Sequence, residues 1–299
     1  MKGILLAGGS GTRLAPLTNV MSKQLLPVYD KPMICYPLAT LMNLNIRDIL
    51  IISTPNDTPR IQDFLKDGSQ FGLRLSYKVQ DEPKGIAQSL ILAEEFIKDD
   101  SVCLILGDNI FYGSEFSGSH DLLNQKIAEL NQEKTGAIIF TYHVSDPERY
   151  GVANLNQDHT KIIEIEEKPK NPKSHLAVTG IYIYDKNAAE IAKNLQPSPR
   201  GELEITDVNK KYLEAGKLDF IKLKRGFAWL DAGTPDSLLD SATFIHTIEK
   251  RQGLKIACIE EIAYRKGFID KEKFEDLINN YKKGCDYRNY LENIYKNKE

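Results

Sequence analysis

Two runs in the first third of the chain, Ile49-Leu50-Ile51-Ile52 and Val102-Cys103-Leu104-Ile105-Leu106, are apolar at every position. A strand with one face in water alternates apolar and polar residues, so an unbroken apolar strand must be covered on both faces, as parallel strands between two helix layers are. Around these runs, strand-like segments at Gly3 to Ala7 and Leu73 to Val79 alternate with helical patterns at Pro32 to Leu44, Pro59 to Leu65 and Ala87 to Ile97. The order β-α-β-α-β-α-β predicts an α/β chain built on a doubly wound, mainly parallel sheet. Ligands of such sheets bind beyond the carboxyl ends of the strands. The loops Gly8 to Arg13 and Gly107-Asp108-Asn109, which follow the first and fourth strands, are thereby expected at one site.

After about residue 115 the rhythm changes. A polar helix is expected around Leu122 to Asn131, then strands near Ala137 to His143, Gly151 to Leu155, Ile162 to Ile165 and Val178 to Tyr184. Helical patterns follow at Ala188 to Leu195 and Ile205 to Ala215, strands at Phe220 to Leu223 and Phe227 to Leu230, and a helix from Pro235 to about Glu249. Two short helical patterns, Lys271 to Tyr281 and Tyr287 to Tyr295, close the chain. The expected organisation is one domain over 1–253, with halves 1–114 and 115–253, and a small C-terminal helical appendage over 254–299. With 299 residues and 41% apolar content, the chain can bury a core of that size.

A net charge of −3 gives no basic footprint for nucleic acid or an anionic membrane, so an anionic ligand must meet locally placed cations. Cys35, Cys103, Cys258 and Cys285 lie far apart without a C-x-x-C pair, which suggests neither a zinc site nor a disulfide framework and fits a reducing cytoplasm. The apolar run at the N-terminus is cut short by Gly8 and Gly9, too early for a signal segment, and no stretch approaches membrane-spanning length.

Gly8-Gly9-Ser10-Gly11-Thr12-Arg13-Leu14 follows a strand directly, and glycines there let backbone N–H groups approach a phosphate. A dinucleotide loop would want a third glycine or alanine where Leu14 stands, and a strand ending in an acid about twenty residues on. Asp30 lies near that distance, but Pro27 and Pro32 spoil a central strand there. A Walker loop is excluded by the missing Gly-Lys-Ser/Thr. Arg13 and, further on, Lys23 bring two cations to the loop, as a triphosphate requires; the competing reading of each is a solvated surface residue.

With these residues assembled, the chain resembles the sugar-nucleotide pyrophosphorylases, and closely the glucose-1-phosphate thymidylyltransferases that open the dTDP-rhamnose pathway. The resemblance spans almost the whole length through GGSGTRL (8–14), SKQLLPVYDKPMI (22–34), LGDN (106–109), DPERYGV (146–152), EEKP (166–169), AVTGIY (177–182), PRGELEITDVN (199–209) and AWLDAGTPDSLL (228–239). It implies a Rossmann-like core, Mg2+, a homotetramer, and dTTP and glucose 1-phosphate as substrates. Carried over position by position, Gly8, Gly11, Thr12, Arg13, Lys23 and Gln24 fall on the triphosphate side, and Gln80 and Gly85 at the nucleobase. Asp108 and Asp231 resemble the metal ligands. Tyr150, Gly151, Glu167, Lys168, Val178, Tyr182 and Arg200 fall where the family holds the sugar and its phosphate. Arg13, Lys23 and Asp108 are the implied catalytic groups. Tyr112, Gly113, Arg225, Glu261 and Arg265 are candidates for a second, feedback site.

Asp81 stands where the family usually has proline, Cys35 where tyrosine is common, and the stretch Ser114 to Lys134 is longer than usual. Asp231 has a rival reading as a helix N-cap, because a helix begins near Thr234 or Pro235. Lys168 could be an exposed strand end beside Glu167. Tyr150, Tyr182 and Trp229 are by default core or rim aromatics, and Trp229 is left as core. A glycosyltransferase would usually show Asp-x-Asp, absent from the LGDN region; the other rivals are a transferase preferring another nucleotide such as UTP and a non-catalytic nucleotide-sugar-binding subunit.

Overall fold

The computed structural model describes residues 1–9, 11–113, 116 and 121–297. The strands are β1 (Lys2–Ala7), β2 (Pro27–Val28), β3 (Lys31–Pro32), β4 (Asp48–Ser53), β5 (Arg74–Val79), β6 (Val102–Leu106), β7 (Asn109–Tyr112), β8 (Ala137–His143), β9 (Gly151–Leu155), β10 (Ile162–Glu167), β11 (Leu176–Tyr184), β12 (Leu218–Lys222) and β13 (Ala228–Asp231). The α-helices are α1 (Cys35–Asn43), α2 (Thr58–Leu65), α3 (Gln88–Leu92), α4 (Glu94–Ile97), α5 (Asp121–Asn131), α6 (Ala188–Lys193), α7 (Ile205–Glu214), α8 (Pro235–Gln252), α9 (Ile259–Arg265), α10 (Lys271–Asn279) and α11 (Asp286–Lys296). The helix expected over Ala87 to Ile97 is two pieces, interrupted at Ala93, where the backbone opens to φ −92° and ψ 2°. Nothing in the residue pattern signals that break. The C-terminal segment holds one more helix, α9, than its apolar pattern suggests. Part of the long stretch Ser114 to Lys134, and with it the 114/115 boundary, lies outside the described residues.

The sheet is mixed. β1 pairs in parallel with β4 on one side and β6 on the other, and β5 extends the parallel part beyond β4. β11 then joins β6 antiparallel and continues to β8 and β12, while β9 and β10 attach near Ala177. The unbroken apolar strands divide their side chains between the two faces. Leu5, Ala7, Ile49, Ile51, Cys103 and Ile105 enter one core with α1 and the C-terminal helices. Ile4, Leu6, Leu50, Ile52, Val102 and Leu104 enter the other with residues of α3, α6 and α7. Each leucine, isoleucine or valine among them contributes about 1.5–3 kcal/mol on burial, which is why the central positions of these strands are apolar on both faces.

Because the chain runs from β1 outward through β4 and β5 and then returns to β6 on β1's other side, the connections diverge at the carboxyl end of β1 and open a crevice there. A small antiparallel ribbon, β7 with β13, contributes Asn109, Trp229 and Asp231 to the lining of this opening and pairs Asp231 with Asn109.

A buried charge cluster ties the β2–β3 hairpin to the end of α8. Lys31, whose side chain is 4% exposed, pairs with Asp30 and with Glu249 at 3.2 Å. Lys255 pairs with Asp30 and lies 5.1 Å over the Tyr287 ring, so the cluster also reaches the C-terminal helices. Burial pushes Asp30 up, but Lys31 and Lys255 outweigh it and leave its carboxyl below the ordinary value. A group whose folded pKa is depressed stabilises the fold above its unfolded pKa and loses that contribution as the pH falls through the folded value. Removing one member of a buried pair leaves an uncompensated charge, so Lys31→Ala is expected to cost about 3–5 kcal/mol in denaturant unfolding. Asp30→Asn should flatten the loss of stability below roughly pH 4. A Lys31→Ala midpoint equal to the parent's would show that the cluster does not hold the hairpin.

Candidate active site

The crevice at the end of β1 encloses about 640 Å³, a volume in the range of small-molecule sites. Every residue assigned above by resemblance to nucleotide, sugar phosphate or metal lines it. Its floor is the strand edge itself. Gly107 donates its N–H to Leu6 O at 2.9 Å, the Ser53 hydroxyl donates to Ala7 O at 3.1 Å, and the Gln80 N–H donates to Ser53 O at 2.8 Å. Those bonds carry the ladder past the strand ends and set Gln80 beside the glycine-rich loop.

That proximity uses the missing side chain at position 8, since a Cβ there would stand 2.3 Å from Gln80 Oε1 and push the amide aside. Gly85 is constrained more severely: its φ is +100° and a Cβ would meet Leu203 O at 2.3 Å. The 80–87 loop is in this way stitched to the 199–204 segment, with Leu203 N–H donating to Lys84 O at 2.8 Å.

The cations of the site differ in their ties. Arg13 is exposed on a one-turn 3-10 helix beside Gly233, and no ion pair to it exists among the described residues. Lys23 is ion-paired with Asp108. Arg200 has acidic neighbours, Glu204 at 2.8 Å, Glu167 at 3.5 Å and Glu202 at 3.6 Å. Lys168 pairs with Glu167 at 3.3 Å, and its φ of 44° turns the chain at the end of β10 before Pro169. Glu167 also accepts the Thr206 hydroxyl at 2.6 Å, so its carboxylate is fixed from three directions.

The carboxylates Asp108 and Asp231 approach through the backbone: Ala232 N–H donates to Asp108 O at 3.0 Å across the β7–β13 ribbon. Their electrostatics are opposed. Burial would raise Asp108, but Lys23 and a hydrogen bond from Asn109 hold it below the usual carboxylate range. Burial and the neighbouring Asp108 push Asp231 up to about 6, against the pull of Arg149, Arg13 and Lys23. The N-cap reading of Asp231 does not hold. Thr234 is the cap, accepting the Ser237 N–H in a capping box, and Asp231 ends β13.

Sequence reasoning missed the residues that aim these groups. Asn109 is 4% exposed, and its Oδ1 accepts from Trp229 Nε1 at 2.6 Å and from Gly180 N at 3.1 Å. Both of those partners are donors only, so the amide is fixed with Nδ2 toward Asp108, to which it donates at 3.0 Å. Trp229 does belong to the core, but its indole N–H is what anchors this amide. Arg149, within the quoted DPERYGV motif, pairs with Asp146 at 2.7 Å and Asp231 at 3.4 Å and lies 5.3 Å over the Tyr150 ring. Tyr150 packs on Trp229, and burial with Asp231 nearby pushes its phenol up to about 12. Tyr182 and Val178 are buried on β11, where the pairing with β8 shifts register between them.

None of Tyr112, Gly113, Arg225, Glu261 and Arg265 lines the crevice. Tyr112 stands at the opposite end of β7 from Asp108, and Glu261 and Arg265 pair with each other on α9 at 2.7 Å.

The nucleotidyl transferase family model matches residues 2–248. The chain belongs to the nucleotidyl transferase family. Within this family it is 52% identical to a glucose-1-phosphate thymidylyltransferase of Neisseria meningitidis over 99% of this chain and all of that one. It is 50% identical to one of Mycobacterium tuberculosis, over 97% of this chain and 98% of the relative. A solved Bacillus anthracis chain assigned to the same activity superposes with a TM-score of 0.73 at 45% identity, covering 82% of this chain and 94% of its own. Among the described residues, no helix of this family member is long and apolar enough to cross a membrane.

The Asn109 geometry is testable by stability alone. Asn109→Leu keeps the branching and the number of heavy atoms but leaves two buried donors without an acceptor, at about 1–3 kcal/mol each if nothing replaces it. A lowered denaturant midpoint is expected; an unchanged one would mean the donors find other acceptors.

Proposed function

We propose that this chain transfers the thymidylyl group of dTTP to glucose 1-phosphate, releasing pyrophosphate and forming dTDP-glucose, the first step of deoxysugar synthesis of the dTDP-rhamnose kind. The observation that carries the reading is one crevice in which a glycine-rich loop, whose Arg13 has no ion pair among the described residues, faces the carboxylates of Asp108 and Asp231 and a lysine–arginine pair around Glu167. Full-length relatives at about half identity that bear this name support the choice of substrates.

In the mechanism we infer, an oxygen of the sugar phosphate attacks the α-phosphorus in line, the bond from that phosphorus to the bridging oxygen breaks, and pyrophosphate leaves opposite. The attacking oxygen is already anionic near neutral pH, so no general base is needed and the chain's five histidines have no assigned part. Positioning and charge neutralisation then carry the rate. Arg13, which forms no ion pair among the described residues, binds the departing pyrophosphate. Lys23 neutralises charge between donor and acceptor while holding Asp108 in place. Lys168 takes the sugar phosphate, and Glu167, fixed by Thr206, accepts sugar hydroxyl hydrogen bonds. Gln80 and Gly85 meet the base; Tyr150, Gly151, Val178, Tyr182 and Arg200 shape the sugar side.

The donor set suits magnesium. Two carboxylates meet across one ribbon, and Asp108 raises the pKa of Asp231, so a cation there would relieve a like-charge conflict. Asp108 and Asp231 would hold it together with substrate phosphates, and it would supply charge neutralisation of the triphosphate. We infer also a division into 1–114, 115–253 and 254–299, a homotetramer and a cytoplasmic location; four free cysteines support the last.

The test is pyrophosphate release with magnesium and glucose 1-phosphate against dTTP, UTP, ATP, GTP and CTP, with Asp108→Ala as the blank. Dominant release with dTTP, lost in the variant, is expected. Preference for another nucleotide would change the substrate, and no release with any would point to a non-catalytic binding subunit. Arg13→Ala should lower turnover by on the order of a hundredfold or more, and near-normal turnover would remove Arg13 from the mechanism.

A further inference from the structure

We propose that Gln88, which does not itself line the crevice, is a positioning residue that makes the base end of the site accept pyrimidines with an imide N–H and reject cytosine. The inference rests on the reading of Gln80 as a base contact. It starts from a backbone group. The Lys84 N–H donates to Gln88 Oε1 at 2.9 Å, and a backbone N–H can only donate, so the Gln88 atom facing it must be the oxygen. The same oxygen accepts from Gln80 Nε2 at 2.7 Å. An oxygen there demands a donor from Gln80, so the Gln80 amide cannot rotate by half a turn without placing two acceptors face to face.

The consequence appears at the opposite side of the Gln80 amide. Its Oε1 lies against Gly8, where the missing side chain leaves room, and both residues line the crevice. Gln80 is 4% exposed, and among the described residues its Oε1 accepts no hydrogen bond. A nearly buried acceptor needs a donor from the ligand. Thymine and uracil present an imide N3–H at the centre of their pairing edge; cytosine has an unprotonated N3 there and its only donor on that edge, the N4 amino group, to one side, so an acceptor facing N3 meets an acceptor. Gln88 thus converts a side chain that could offer either polarity into one that offers only an acceptor. A site built around one hydrogen bond discriminates against a ligand lacking the matching group more strongly than an apolar pocket does against a missing methyl. This polarity does not separate thymine from uracil.

Gln88→Met keeps an unbranched side chain of similar length but gives Gln80 Nε2 and Lys84 N–H no comparable acceptor, freeing the amide to turn. Gln88→Glu still accepts from both. Equilibrium binding of dTTP and dCTP is measured for the parent and both variants. The ratio of affinities should fall about tenfold in Gln88→Met, chiefly through weaker dTTP binding, and return toward the parent's in Gln88→Glu; Gln88→Ala replaces the methionine variant if that one does not fold. A ratio unchanged in the folded variant, an equal loss for both nucleotides, or a glutamate variant as impaired as the methionine one would each overturn the proposal. Pyrophosphate release by the parent tests the transferase reading separately, so a failure of turnover is distinguished from a failure of base selection.

Discussion

β1 is paired on both sides in parallel register, Gly3 to Ala7 with Ile49 to Ser53 and Lys2 to Leu6 with Val102 to Leu106. The double pairing fixes the height at which three separate chain segments leave the sheet. The glycine-rich loop leaves from Ala7, Gly107 from the end of β6, and Gln80 from the end of β5 through Ser53. A slip of one residue would exchange the two faces of a strand, placing Leu5 and Ala7 where Ile4 and Leu6 now pack. Because both faces are apolar, polarity alone does not forbid that slip; the close packing of each side chain in its own core does, and it holds the chemistry in register.

The polar residues at this edge are organised by donor-only groups that leave an amide one choice. Trp229 and Gly180 fix Asn109, and Asn109 then faces Asp108; Lys84 fixes Gln88, and Gln88 then faces Gln80. In both cases a group incapable of accepting fixes which end of an amide faces the crevice: Asn109 itself in the first, and Gln80, two links away, in the second. Such chains resist reorientation because each intermediate state would bury an unpaired donor or a pair of facing acceptors. The charged members behave differently. Lys23 is tied to Asp108 and Arg149 to Asp231, while Arg13 keeps no ion pair among the described residues, a division that suits fixed ligands on one side of a reacting phosphate and an adaptable cation on the other.

The sequence made the parallel half of the sheet legible because its signal is local: an all-apolar run, a helix period, a glycine-rich turn. The same locality explains what it hid. β7 is four residues long and borders a turn, and its partner β13, expected as a strand at Phe227 to Leu230, lies more than a hundred residues away, so the pairing that makes the ribbon has no local signal. The Asn109–Trp229 bond spans 120 positions, and at the level of residue type Trp229 reads as core, which it also is. Asp231 shows the reverse case. Its nearness to a helix start made a cap plausible, and only the Thr234–Ser237 capping box, which satisfies that helix end without it, removes the alternative.

The C-terminal helices pack into the same core as α1 and the inner strands, with Phe274, Leu277 and Leu291 buried beside Leu38 and Ile49. Lys255 then joins that packing to the β2–β3 hairpin through Asp30. The hairpin lies only a few residues beyond Lys23 and Gln24, and Ile34 N–H closes it back onto Gln24 O at 2.9 Å. Gln24 in turn donates to Gly8 O at 3.3 Å. A continuous path of bonded groups therefore runs from the C-terminal helices through the charge cluster to the glycine-rich loop. The segment 254–299 contributes no lining residue among those described, yet it holds from behind the hairpin on which Lys23 and Gln24 depend for their place.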